Sequence, residues 1–452
     1  MAAPQTSHAR PSDSAGAAPG TLDDIRRVLA DVETVVENVE ALYYDFHEHP
    51  ELSHHEVRTA AIVAEHLRRC GFQVVTGVGG HGVAGILRNG DGSVVAMRGD
   101  MDALPVEEKT GLKYASVARG VDPHGNDVPV MHACGHDVHT ACLVGAAELL
   151  AKNRDAWSGT LLVIAQPAEE AVSGARSMMA DGLYERTAMP DVLIGQHLAP
   201  ARAGMVIHRA GALMAGAMNV NVEIPGVGGH GSQPQLTVDP IVIASSAVVR
   251  LQTIVSRELG PYIPAVVTVG AFHAGTRGNI IPDRAKLELS VRTFDANTGD
   301  RVLAAIERIV KAECMAGRAP RDPSVEKAES VPPLINDAEA VARVRAIQEP
   351  LLGDVFTAPF AVTGSEDVGL LAVPEDGPSI PVAFWLLGGV GRERWDRFEG
   401  PWIQRMQAGP GNHSPFFYAD PQPTLRRGVE AMVSAALAYL CGDREAATRA
   451  DA

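Results

Sequence analysis

Three short apolar runs, residues 94–97, 159–165 and 192–195, constrain this chain most. Each is too short for a core helix and reads as a buried strand. A stretch of small and apolar residues at helical spacing, 138–150, lies between the first and second runs, and a second small helix, 173–181, follows. Strands alternating with helices argue for an α/β architecture, a mostly parallel sheet with helices on both faces. In such open sheets ligands bind beyond the carboxyl ends of the strands. The polar residues fall on that rim: Asp100 and Asp102 after the first run, Glu169 and Glu170 after the second, His197 after the third. Five such residues at one end of a sheet are hard to produce by chance packing.

The segment leading into the 138–150 helix adds to that rim. It reads MHACGHDVH and packs His132, Cys134, His136, Asp137 and His139 into nine residues. Thiolate, imidazole and carboxylate donors alternating on a short loop are metal-ligand chemistry. The histidines of HEHPELSHHE belong to a turn between two amphipathic helices, 22–46 and 51–70, the second capped by Ser53. They read as structural or exposed, not as ligands.

A chain of 452 residues exceeds what one hydrophobic core usually serves, so two domains are expected. Hydrophobic residues at 46% and charged residues at 21% fit a globular soluble protein, and a net charge of −16 disfavours nucleic acid or an anionic membrane as partner. No window approaches the roughly 18 consecutive apolar residues of a membrane span. Five scattered cysteines are not a disulfide framework and fit a reducing, cytoplasmic interior. Residues 1–20, rich in Ala, Ser, Pro and Gly without an apolar run, read as a disordered tail and not a secretory signal.

The rhythm changes near Gly211. A strand at 218–224 is followed by a helix at 239–259, strands at 265–272 and 285–294, a helix at 299–315 and a strand at 324–331. The order β-α-β-β-α-β is the ferredoxin-like split unit. It predicts a first part of one domain over 21–210, an inserted α+β domain over 211–331, and a return to the first domain over 332–452. His230 (in GGHGSQP), Asn279 and Arg292 lie in the insert and are, taken alone, ordinary turn and strand residues. The return segment carries TGSED, with Gly364 and Ser365, and NHSPFF, with His413.

The metal-ligand candidates are Cys134, His136, Glu170, His197 and His413. Soft and hard donors on several loops of one rim suit a dinuclear centre, with Cys134 as a thiolate able to bridge two ions. Adjacent side chains on an extended segment diverge, so Glu169 and Glu170 are expected to divide two roles, one ligating and one moving protons.

The motifs RGDMDALP, HACGHDVHT, QPAEE, GQHLAP, GGHGSQP, NIIPD, GSED and NHSP occur in an order that resembles one family. It is the amidohydrolase branch of the aminoacylase/carboxypeptidase metallopeptidases, which includes hippurate hydrolases, N-acyl-amino-acid amidohydrolases and plant auxin-conjugate hydrolases. The resemblance covers nearly all of the chain beyond residue 35, and HACGHD with QPAEE is its most specific part. It implies that Cys134 bridges two divalent ions per subunit (zinc, manganese, cobalt or nickel) and that His136, Glu170, His197 and His413 complete the ligands. It implies Glu169 as the general base that activates metal-held water and Asp102 as the carboxylate orienting a ligand histidine. His230 resembles a lid histidine that reaches the partner subunit's site, Asn279 a substrate-binding residue there, and the insert a dimerisation lid. Arg292, Gly364 and Ser365 are the further substrate-contact candidates. The implied activity is hydrolysis of N-acyl amino acids or similar small amides by a homodimer or larger homo-oligomer. A dipeptidase or N-carbamoyl-amide hydrolase is the alternative. The chain departs from the family at Gln235, where a histidine is usual, at Val138, where glycine is usual, and at Gly99, where alanine is commoner.

Overall fold

The computed structural model describes residues 19–375 and 377–441. Four strands, Gly159–Gln166, Val94–Asp100, Val192–Arg202 and Val382–Val390, lie side by side and parallel at the centre of an eight-stranded sheet. Two antiparallel strands, Gly82–Asn89 and Gln73–Val78, extend one edge, and Val206–His208 and Val355–Thr357 extend the other.

The central strands are apolar at consecutive positions because each face meets its own core. Val95, Met97, Leu161, Val163, Val192, Ile194 and Trp385 point into one hydrophobic cluster. Ala96, Leu162, Ile164, Leu193 and Phe384 point into the other. Side chains alternate between faces with period two, so a strand covered on both faces loses the usual apolar-polar alternation. The helix His136–Lys152 is small and apolar nearly all round for the same reason. It packs against the sheet, the Glu33–Glu48 helix and the Pro421–Leu440 helix.

Residues 216–331 build a second unit. Its strands run in the order Ala265–Ala274, Arg284–Thr293, Gly216–Pro225, Ser324–Val331, all antiparallel. The helices Pro240–Leu251 and Ala296–Ala316 bury Ile243, Ala247, Ile306 and Val310 against Val220, Leu289 and Val291. Asp239 caps the first helix, accepting a 2.9 Å hydrogen bond from the Ile241 amide, and Pro240 occupies the first turn where no donor is needed. Gly211–Met214 pairs instead with Leu334–Asn336, beside the larger sheet.

Three local expectations change. The single helix expected over 22–46 is two, Pro19–Ala30 and Glu33–Glu48, because the backbone bonds tighten to i→i−3 at Asp31 and Val32. The first begins at Pro19, so the last two residues of the expected tail are helical; residues 1–18 lie outside the described residues. Ser53 does not cap the next helix, which begins at Val57; its hydroxyl donates to Asp102 instead. Among the described residues no helix is long and apolar enough to cross a membrane.

Candidate metal centre

The Cys134 loop reaches the rim through one glycine. Gly135 adopts φ +90°, and a Cβ there would come within 2.5 Å of Leu198. Only glycine tolerates both the backbone and the approach. The loop therefore lies against the strand carrying His197, with Cys134 Sγ 3.5 Å from His197 Nε2. A distant segment is tied to the same place. The His413 amide donates to Ala133 O at 2.7 Å. The Asn412 side-chain amide donates to Cys134 O at 3.1 Å and to Leu198 O at 3.0 Å. His197 lies inside its strand, not beyond it as expected, because pairing with Val382–Val390 continues to Arg202.

The donors form two overlapping groups, Cys134–His136–His197 and Cys134–Glu170–His413, which share the thiol. Their imidazoles are oriented from behind. His136 Nδ1 faces Asp102 Oδ1 at 3.2 Å, which leaves Nε2 buried without a hydrogen-bond partner. His197 Nδ1 donates to Leu198 O at 2.8 Å, so its Nε2 carries the lone pair toward Cys134. Glu170 Oε1 is also buried without a hydrogen bond, 3.3 Å from His413 Nε2. Two unsatisfied buried atoms aimed into a set of thiol, imidazole and carboxylate donors fit divalent transition-metal ions. Burial opposes charge on Cys134, but His197, His136 and His413 outweigh it and hold the thiol well below its ordinary value. Burial, then the Cys134 charge, push Glu170 up to about 7.

Glu169 and Glu170 do not diverge as expected. They lie in a turn entered through Ala168 at φ +49°, not on an extended segment. Both approach His136 Nε2, at 4.0 and 3.8 Å. Their other neighbours separate them: Glu170 faces His413, whereas Glu169 faces Glu366 and Asp367. Burial, then the Glu366 and Glu170 charges, raise Glu169 well above the usual carboxylate range. Asp102 is held low despite burial by His136, by Ser53 Oγ at 2.6 Å and by the Glu170 amide at 2.9 Å.

Several residues at this rim were not singled out by the sequence. Arg98 is fully buried and donates to Asp100 at 2.7 Å, to Glu366 at 2.7 Å and to Gln166 at 2.9 Å. Gln166 in turn donates to Asp367 at 2.6 Å. Asp100 also accepts from His139 Nδ1 at 2.6 Å, and His139 Nε2 accepts from the Leu198 amide at 2.6 Å. Both nitrogens of His139 are thus committed to protein, and it is not free to ligate. His47 sits between Asp137, at 2.7 Å, and Glu108, at 3.2 Å. Their only sequence signal was that RGD and GSED stand within recurring motifs, while His47 reads as structural or exposed with the other histidines of HEHPELSHHE.

Arg292, Gly364 and Ser365 line one 510 Å³ cavity with Cys134, Glu169, Glu170, His197 and His413. Arg292 Nη1 donates to Ser365 Oγ at 2.7 Å and so joins the second unit to the first. His230 and Asn279 are not brought to these residues. They line a separate surface cavity of 730 Å³ in the second unit, where Ser232 Oγ lies 2.7 Å from His230 Nδ1.

Residues 96–401 match the model of the peptidase family M20/M25/M40. The chain belongs to this family. As a member it is a hydrolase. It is 38% identical over 317 residues to the hippurate hydrolase of Campylobacter jejuni, covering 70% of this chain and 79% of that one. It is 38% identical over 356 residues to the N-acetyl-L-cysteine deacetylase of Bacillus subtilis, covering 77% and 80%. The crystal structure of the Bacillus subtilis YXEP protein, a dinuclear metal-binding peptidase of the M20 family, superposes with a TM-score of 0.71 at 27% identity, covering 90% of this chain and 98% of that one.

Proposed function

We propose that this protein is a metal-dependent amidohydrolase that cleaves the amide bond of N-acyl amino acids or similar small conjugates. The observation carrying this reading is the thiol of Cys134 shared by two donor groups, with the buried carboxyl of Glu169 beside them. Two relatives are named for hydrolysing hippurate and deacetylating N-acetyl-L-cysteine, both N-acyl amino acids. Cys134, His136, Glu170, His197 and His413 would hold two divalent ions, and zinc, manganese, cobalt and nickel all suit these donors. Such ions, when bound, acidify water and polarise a carbonyl oxygen.

The chain's own groups supply the rest. Glu169, whose proton affinity burial raises, takes a proton from the attacking water and passes it to the departing amine nitrogen. Asp102 fixes the His136 tautomer, keeping Nε2 available. Arg292, beside Ser365 and Gly364, offers its guanidinium to the substrate carboxylate. The insert acts as a lid that pairs two copies of the chain, so that His230 and Asn279 serve the partner's site, His230 stabilising the oxyanion. A reducing cytoplasm would preserve the thiol.

The test is a hydrolysis panel of N-acyl amino acids, run with each metal, with dipeptides and N-carbamoyl amino acids as controls. The expected result is turnover of N-acyl amino acids and a fall of about 10²–10⁴-fold in kcat for Glu169→Gln with metal content retained. No turnover of any N-acyl amino acid by the wild type would remove the reading. Undiminished turnover by Glu169→Gln would remove only the base.

A further inference from the structure

The cavity beside the donor cluster has two kinds of wall. Against Cys134, Glu169, Glu170 and His413 it is polar and titratable. Elsewhere it is lined by Ile207, Phe360, Leu386, Trp402, Ile403 and Met406. Ile207 and Leu386 are cross-strand partners and face the cavity from the sheet. The short helix Trp402–Met406 packs on the strand carrying His197. Positions 402, 403 and 406 share one side of it, while its cation turns away, Arg405 Nε donating to Gly400 O at 2.8 Å. The Trp402 ring is held against Phe356, with centroids 6.1 Å apart.

We propose that the acyl half of the substrate is a bulky apolar group, aromatic or of medium chain length, and that Trp402, Ile403 and Met406 set this preference. The inference rests on the amidohydrolase reading above. The amine half carries a carboxylate two bonds from the scissile nitrogen, and it must lie near a cation. Arg292 is the only lysine or arginine lining the cavity among the described residues. The acyl half alone can be uncharged throughout, so the apolar wall accommodates it. At 510 Å³ the cavity lies in the range of about 300–1,000 Å³ that encloses drug-sized ligands, so an acetyl group leaves most of it unfilled.

The experiment compares kcat/KM for glycine bearing acetyl, butanoyl, hexanoyl, octanoyl or benzoyl groups, and for N-acetyl amino acids of increasing side-chain size. Binding of the same compounds to chelator-stripped protein, measured by calorimetry, supplies a readout independent of turnover. The expected result is a rise of about threefold to fourfold per added methylene until the cavity is filled. Benzoylglycine should exceed acetylglycine by at least about tenfold. In Met406→Trp, which fills the cavity, and in Phe360→Asp, which places a charge on a half-exposed wall residue, the octanoyl-to-acetyl ratio should fall at least about tenfold. Equal rates along the acyl series overturn the inference, as does a preference for acetyl amino acids with large side chains; both leave the amidohydrolase reading standing. Hydrolysis of none of these compounds removes both.

Discussion

The rim of the large sheet and the 216–331 unit both carry residues expected at the active site, yet the structure treats them oppositely. At the rim, Asp100, Asp102 and His136 are almost wholly buried, and each is held by at least one further polar group. In the second unit, His230 is exposed and is held within reach of Ser232, two residues on. Burying a charged or polar group costs several kcal/mol unless it is paired, so a buried cluster must be nearly complete within one chain. An exposed histidine carries no such cost and can wait for a partner. The difference separates residues that build the centre from those that would arrive at it.

Cys134→Ala should break the first region outright. Both donor groups lose their shared atom, so metal content should fall to background and activity with it; two equivalents of metal by elemental analysis would refute the shared thiol. His230→Ala tests the second region. Metal content should hold while kcat falls about 10²–10³-fold. Hybrids of His230→Ala with Cys134→Ala subunits should regain activity, because one site then combines an intact centre with an intact His230. Hybrids no more active than either parent would place His230 in its own subunit's site.

The smallest expected effect concerns the support of the metal loop. Burial lowers His47's proton affinity, but the hydrogen bonds it donates to Asp137 and Glu108 outweigh it and raise the imidazole to about 9. A raised folded value means the stabilisation is complete below the ordinary value of about 6.5 and is lost as pH rises through about 9. His47→Gln should therefore lower Tm most at pH 6, with the gap closing by pH 10. A gap independent of pH would show that His47 acts by packing alone.

Much of the rim could be read from the chain, because a buried strand and the polar residue at its end are local patterns. The runs ending near Asp100, Glu169 and His197 lie in adjacent parallel strands. The Cys134 loop, read as a donor cluster from nine residues, supplies the thiol common to both groups. Other features were not local. That Glu169 and Glu170 both face His136 depends on the positive φ of Ala168, for which alanine gives no signal. The Arg98–Glu366 pair spans 268 positions, and neither residue alone suggests burial.

By itself the sequence determined the fold class, the end of the sheet where polar groups gather, and which thiol, imidazole and carboxylate side chains meet there. These follow from hydrophobic periodicity and side-chain chemistry, which neighbouring residues carry. Tertiary structure alone decided which nitrogen of each histidine is left available and which carboxylates surround Arg98. It also decided that an apolar wall stands beside Glu169 and Cys134. Each depends on what distant segments bury together, and burial decides whether a polar group is satisfied, charged or left open to a ligand.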